Sequence, residues 1–271
     1  MGLDAEGSKA KLRQTSQKPF KDRILQSARS KKSRIVLAID VNDGPPKELS
    51  DRATDLIEQT RQWICAVKLG RQTILCIGPE RTTELLRKIH GRGLTTIIDD
   101  KLNDIDETNA AITRAYHNLG FDAITVNPFT GWKGGLEATF KLAHERGMGL
   151  LALVYMSHPG ASEGYGQKIL SNARSKKTRL EFEIFAERAV KWKADGAVVG
   201  ATRPSIVRRA KEILGTSVPI FSPGVGTQGG EIARSLKAGT DYFIIGRSIT
   251  TAKNPGNVAE EFAKASVDLY N

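Results

Sequence analysis

The chain has 271 residues, 39% hydrophobic and 26% charged, a balance that excludes a wholly disordered chain, a collagen-like repeat and a membrane bundle. Its length suits one large α/β domain built on a single core. The formal charge of +11 is concentrated at one end: residues 1–34 hold ten Lys/Arg against three Asp/Glu, leaving only +4 for the remainder.

Positions 1–17 carry Ser, Lys, Gly and Gln without apolar periodicity and read as a basic tail that adds nothing to a core. A short helix near Phe20 to Ser27 leads into the fold. Eight β-branched apolar runs follow: Ile35 to Ile39, Ile64 to Leu69, Thr95 to Ile98, Ala123 to Val126, Leu150 to Val154, Ala197 to Val199, Pro219 to Phe221 and Tyr242 to Ile245. Between them lie stretches of helical spacing, such as Leu49, Ala53, Leu56, Ile57, and later Phe182, Phe185, Ala189, Trp192. Strand–helix alternation of this kind predicts a parallel sheet covered by helices. Eight units in about 240 residues fit a (β/α)8 TIM barrel, one domain over 18–271 behind a basic N-terminal extension. A doubly wound sheet fits less well, because the first strand runs into Asp40-Val41-Asn42-Asp43-Gly44 where a GxGxxG would stand. The polar segment from Ser157 to Lys177 is expected to be a mobile loop over the barrel mouth.

The longest apolar run, Gly149 to Met156, is far below the roughly 20 residues of a spanning helix, so no membrane contact is expected. Cys65 and Cys76 form no CxxC pair and sit among apolar residues, which points to core packing in a reducing, cytoplasmic compartment. The four histidines show no HxxxH spacing, so no metal site is expected.

In barrels of this kind the reacting groups stand at the carboxyl ends of the strands. There the chain places Asp40, then Lys68 inside an apolar strand, then Asp99-Asp100-Lys101 with Asp104 close behind. A lysine in an apolar strand needs carboxylate neighbours, and Asp40 and Asp99 are the candidates. Side chains alternate along a strand, so Asp99 and Lys101 share one face and Asp100 takes the other. The blander reading of this cluster is a salt-bridge network closing the barrel end. Thr125-Val126-Asn127-Pro128 either lines the mouth or forms a plain turn. Strand seven ends in Ser222-Pro223-Gly224-Val225-Gly226-Thr227-Gln228-Gly229-Gly230 and strand eight in Gly246-Arg247. Four glycines in seven residues bring backbone N–H groups close to an anion, and an arginine beside them adds a bidentate contact. The expected ligand therefore carries a phosphate.

These motifs together resemble the orotidine 5′-phosphate decarboxylase family. The resemblance runs from about Arg34 to the C-terminus and rests on Ala38-Ile39-Asp40, Val67-Lys68, the DxKxxDI element at Asp99 to Ile105, Met156-Ser157-His158-Pro159-Gly160, Ser222 to Val225 with Gln228, and Gly246-Arg247. DxKxxD alone occurs in other phosphosugar enzymes; the combination is far more specific. The resemblance implies decarboxylation of orotidine 5′-phosphate to UMP in pyrimidine synthesis, without cofactor or metal, by a homodimer. It assigns Asp40 to a ribose hydroxyl, Lys68 to a bridge between ribose and carboxylates, Lys101 to protonation of C6 and Asp99 to the departing carboxylate. Asp104, Ile105 and Thr108 would reach into the neighbouring subunit's site. Ser157, Pro223, Gly224 and Val225 would face the pyrimidine, and Gln228, Gly246 and Arg247 the phosphate. Family members usually have an apolar residue where Asp100 stands and often proline at Asp106. Two other readings remain at this stage: a Mg²⁺-dependent phosphosugar decarboxylase or synthase of the same suprafamily, and a basic nucleic-acid-binding protein. The latter predicts steep salt dependence, which aromatic residues at only 6% and a nearly neutral barrel do little to support.

Overall fold

The computed structural model describes residues 18–170, 178–226 and 229–267. The basic tail 1–17 lies outside them. Eight parallel strands close into a barrel: β1 (Ile35–Ile39), β2 (Ala66–Gly70), β3 (Thr95–Leu102), β4 (Ala123–Val126), β5 (Gly149–Tyr155), β8 (Gly196–Val199), β9 (Ile220–Pro223) and β10 (Tyr242–Ile245), with β10 returning to β1. The (β/α)8 architecture expected from strand–helix alternation is therefore present.

Alternation along each strand sorts the side chains into two layers. Ile35, Leu37 and Ile39 of β1 face outward into the apolar shell beneath the helices. Val36 and Ala38 face inward, where they join Ala66, Ile97, Ala123, Leu151, Leu153, Val198, Phe221 and Ile244 in a separate interior cluster. The inward series then dictates the mouth. Two residues beyond inward Ala38, Ala66, Ile97 and Ala123 come Asp40, Lys68, Asp99 and Thr125, so four adjacent strands send a polar side chain to the same place.

The helices obey local rules. Helix α2 (Pro46–Thr60) buries Leu49, Ala53, Leu56, Ile57 and Thr60 along one stripe. It starts on a proline, as do α4 (Pro79–His90) and α9 (Pro204–Leu214), because the first helical position has no N–H bond to lose. Between β2 and α4 lies the short α3 (Arg71–Ile77). The outer ring is completed by α5 (Asp106–Leu119), α6 (Glu137–Glu145), α8 (Glu181–Lys191), α10 (Gly229–Lys237), α11 (Arg247–Thr250) and α12 (Pro255–Val267).

Helix α1 (Phe20–Lys31) plugs the end of the barrel opposite the strand carboxyl ends. Phe20 and Ile24 join the interior cluster, each burial worth roughly 1.5–3 kcal/mol. The Ser27 hydroxyl donates to the Cys65 carbonyl at 2.7 Å. At that same end an aspartate precedes three strands and accepts an N–H from the neighbouring strand: Asp122 from Thr96 at 2.7 Å, Asp195 from Leu150 at 3.0 Å, Asp241 from Ile220 at 2.8 Å. Each also meets a cationic or imidazole group near a helix end, His90, His144 and Lys211 respectively. Arg23 of α1 adds a second partner to Asp122.

The segment after β5 differs from the loop expected there. Its described part holds a one-turn helix, α7 (Ala161–Gly164), and a strand, β6 (Lys168–Leu170), which pairs antiparallel with β7 (Thr178–Leu180). Residues 171–177 of that segment lie outside the described residues. Tyr165 anchors the base of the segment between Tyr155 and Phe185, with ring centroids 5.8 and 6.0 Å away. Aromatic burial on the outer shell thus organises a stretch whose polar composition reads as loop.

Candidate active site

A cavity of about 510 Å³ opens at the carboxyl ends of the strands. Its floor is the top of the interior cluster, Leu153, Val198 and Ile244, and its rim carries Asp40, Lys68, Asp99, Lys101, Ser157 and Arg247. Lys68 is only 7% exposed, so its charge requires compensation at short range. That compensation is Asp99: Lys68 Nζ lies 2.6 Å from Oδ2, and Lys101 Nζ lies 2.7 Å from Oδ1. The Thr125 hydroxyl donates to Oδ1 at 3.0 Å while accepting the Lys101 backbone N–H at 2.9 Å. Burial pushes the Asp99 carboxyl up, but the two ammonium groups more than offset it and hold it well below the usual carboxylate range. The result is a fixed carboxylate carrying one lysine on each oxygen, both facing the cavity.

Strand β3 is distorted to achieve this. Ile98 pairs with Ile124 and Leu102 with Val126, so the register shifts across the four-residue step that contains Asp99, Asp100 and Lys101. Lys101 takes φ +57°, a left-handed conformation that costs an L-residue about 1–2 kcal/mol. Thr125 and Asp99 hold it there. Asp100 lies on the opposite face of the strand against Arg71.

Asp40 lines the cavity but does not pair with Lys68 as sequence reasoning supposed. Its Oδ1 accepts a 2.8 Å hydrogen bond from Gln72 Nε2. The contact needs Gly70, where a Cβ would stand 2.3 Å from that oxygen. Pro223, Gly224 and Val225 line the far wall with Gly246. Gly224 has φ +84°, and a Cβ there would press to 2.9 Å on Ser157 Cβ, so glycine allows the loops after β5 and β9 to touch. Gln228 lies outside the described residues. Arg247 is exposed at the rim, and its guanidinium has no partner among the described residues.

Asp104, Ile105 and Thr108 do not reach this cavity. They stand at the start of α5, with Ile105 62% exposed, while the Asp104 carbonyl accepts from Asn109 Nδ2 at 2.6 Å. Sequence reasoning left Thr125 undecided and passed over Gln72 and Arg71. The available signal for Thr125 was its place two residues after inward Ala123.

A closed parallel barrel with a lysine–aspartate–lysine cluster at its strand ends, sharing one cavity with an exposed arginine and with Gly224, Gly226 and Gly246, defines a barrel enzyme for a phosphorylated substrate. Comparison with known proteins makes this specific. The chain belongs to the orotidine 5′-phosphate decarboxylase / HUMPS family, whose model matches residues 33–262. It is 36% identical to the orotidine 5′-phosphate decarboxylase of Pyrococcus abyssi over 228 residues, 84% of this chain and 96% of that one. It is 34% identical to the Methanosarcina mazei enzyme of the same name, over 85% of this chain and 93% of that one. The crystal structure of the orotidine 5′-monophosphate decarboxylase of Methanocaldococcus jannaschii complexed with the inhibitor BMP superimposes with a TM-score of 0.71 at 29% identity, covering 86% of this chain and 98% of that one.

Proposed function

We propose that this protein converts orotidine 5′-phosphate to UMP and CO2 by a cofactor-free decarboxylation. The observation that carries the reading is the Lys68–Asp99–Lys101 cluster, which points two ammonium groups and one carboxylate into a cavity whose opposite rim holds Arg247. Loss of CO2 from C6 of the pyrimidine leaves a carbanion with no electron sink in the ring. The site must therefore supply the stabilisation electrostatically. Lys101 faces the carbanion as ammonium and donates the proton that completes the reaction. Asp99 lies beside the departing carboxylate and orients both lysines. Lys68 and Asp40 hold the ribose hydroxyls, Ser157 and Pro223 to Val225 face the pyrimidine, and Gln228, Gly246 and Arg247 grip the phosphate. Binding energy gained at the phosphate end organises the reacting end.

Asp104 and Ile105, exposed just before α5, and the half-buried Thr108 on its first turn are read as completing the site of a neighbouring copy, so the working unit is a homodimer. The protein is read as cytoplasmic; among the described residues no helix is long and apolar enough to cross a membrane.

The rival within the family is a Mg²⁺-dependent phosphosugar enzyme. Both Asp99 oxygens are taken by ammonium groups, which places two cations where a metal would need that carboxylate. This donor set favours the decarboxylase. The test is the loss of orotidine 5′-phosphate absorbance on adding EDTA-treated protein. Turnover that disappears with EDTA and returns with Mg²⁺ would select the rival.

A further inference from the structure

Behind the cavity, on the outer face of β3, lies a carboxylate for which the proposed mechanism has no task. Asp100 is 6% exposed and stands between Asp99 and Lys101 with its side chain turned the opposite way. Its Oδ1 accepts a 3.0 Å hydrogen bond from Arg71 Nη1 on the first turn of α3. Among the described residues, the other charged or titratable groups that act on this region are Asp99 and Lys101 on its own strand and Tyr116 on α5. Burial, and after it the Asp100 charge, push the Tyr116 phenol up to about 12. Arg71 is itself 62% exposed at the side chain, so trimming it opens no hole in the core.

The pair sits where the strand is least constrained by its ladder. A bulged stretch has lost regular pairing, and regular pairing is what decides which side chain faces which way. On the inner face Thr125 ties down the bulge through Asp99 and the Lys101 N–H; on the outer face Arg71 ties it through Asp100.

We infer that Arg71 and Asp100 are a positioning pair for the decarboxylation: Arg71 pins the outer side of the bulge so that Asp99 and Lys101 point together into the cavity, and it neutralises a buried carboxylate one residue from the proton donor. The inference rests on the decarboxylase reading. Its electrostatic half follows from the reaction, which builds negative charge at the carbon facing Lys101. An uncompensated carboxylate on the back of the same strand opposes that charge through a medium of low dielectric.

The test is Arg71→Met beside wild type and Arg71→Lys, with steady-state kinetics followed across pH, UMP affinity by calorimetry, and thermal melting. Arg71→Met should keep KM and UMP affinity within about threefold, because the phosphate end is untouched, while kcat near neutral pH falls at least about tenfold. Burial raises the Asp100 carboxyl and Arg71 opposes it. Without Arg71 the group takes up a proton as pH falls, so kcat relative to wild type should recover on the acid side. Arg71→Lys restores the cation and should return most of the turnover. The double variant Arg71→Met/Asp100→Asn has nothing to titrate there and should lose the acid-side recovery. An unchanged kcat in Arg71→Met overturns the inference. So does an acid-side recovery that persists in the double variant, or a fall in kcat, KM and UMP affinity that tracks melting equally at every pH, which would make the pair a plain brace of the fold. Absence of turnover in the wild-type protein would instead remove the decarboxylase reading itself, and the inference with it.

Discussion

Replacing Lys101 by alanine removes one ammonium group with two tasks. Its Nζ lies 2.7 Å from Asp99 Oδ1 and lines the cavity, so a substrate carbon receiving its proton would stand on the order of 3.5 Å away. At that range and an effective dielectric near 20, a unit positive charge stabilises a unit negative charge by about 5 kcal/mol. Since each 1.36 kcal/mol is tenfold in rate, this corresponds to roughly three orders of magnitude. The lost proton donor is worth about 10²-fold or more, but the same group performs both tasks, so the two do not simply multiply. We expect kcat to fall at least about 10³-fold. UMP should still bind, because Arg247, Gly246 and the turn after β9 are untouched. Turnover is followed by loss of substrate absorbance and UMP affinity by calorimetry. If Lys101→Ala retains more than about a tenth of wild-type turnover, a loss under ~1.4 kcal/mol, Lys101 is not the proton donor and the carbanion reading fails with it.

Inactive Lys68→Ala and Asp104→Ala proteins should regain activity when their subunits are mixed, because one of the two composite sites in each mixed dimer would be intact; no recovery despite proven exchange would place the whole site within one chain. Arg247→Ala should weaken the nucleotide strongly and scarcely alter the slow reaction of the phosphate-free nucleoside, since a charge-assisted contact to phosphate is about twice as strong as a neutral one. Equal proportional losses for both substrates would make Arg247 a structural residue. At the opposite end of the barrel, Asp122 is buried, which raises its carboxyl, but His90 and Arg23 more than offset this and depress it below 3.8. A depressed carboxyl stabilises the fold at pH above its unfolded value and loses that contribution as pH falls through the folded value. Asp122→Asn should therefore cost about 3 kcal/mol near neutral pH, with the deficit shrinking in acid; denaturant titrations giving the same deficit at both pH values would remove charge from the explanation.

Much of this molecule follows from rules that act over a few residues. The short apolar runs of β1 and β4, the apolar stripe of α2 and the prolines that open α2, α4 and α9 are local signals, and the alternation of such strands and helices points to a parallel barrel. A lysine inside Ala66 to Gly70 announces a carboxylate partner because an unpaired buried ammonium is too costly. The same parity separates Asp99 and Lys101 from Asp100. Glycines between 224 and 230 with an arginine just after the next strand point to phosphate for reasons of reach and charge.

What the chain could not disclose depends on pairs far apart along it. Lys68 and Asp99 are 31 positions apart, Lys101 and Thr125 are 24, and Arg71 and Asp100 are 29; which of them meet is decided by barrel closure and register. Sequence reasoning offered Lys68 two carboxylates, and packing gave it Asp99 while Gln72 took Asp40. The bulge in β3 and the left-handed Lys101 have no local signature, because a lysine has no preference for positive φ, and contacts to Thr125 and Asp99 hold this one there. The polar composition of the segment after β5 carries no core and reads as loop, whereas Tyr165 anchors its base against aromatic rings from the strand before it and the helix after it. Local chemistry thus determined which groups the mouth of the barrel contains, and tertiary packing alone decided which of them touch, since contact energies between strands depend on a closure that no short stretch of chain encodes.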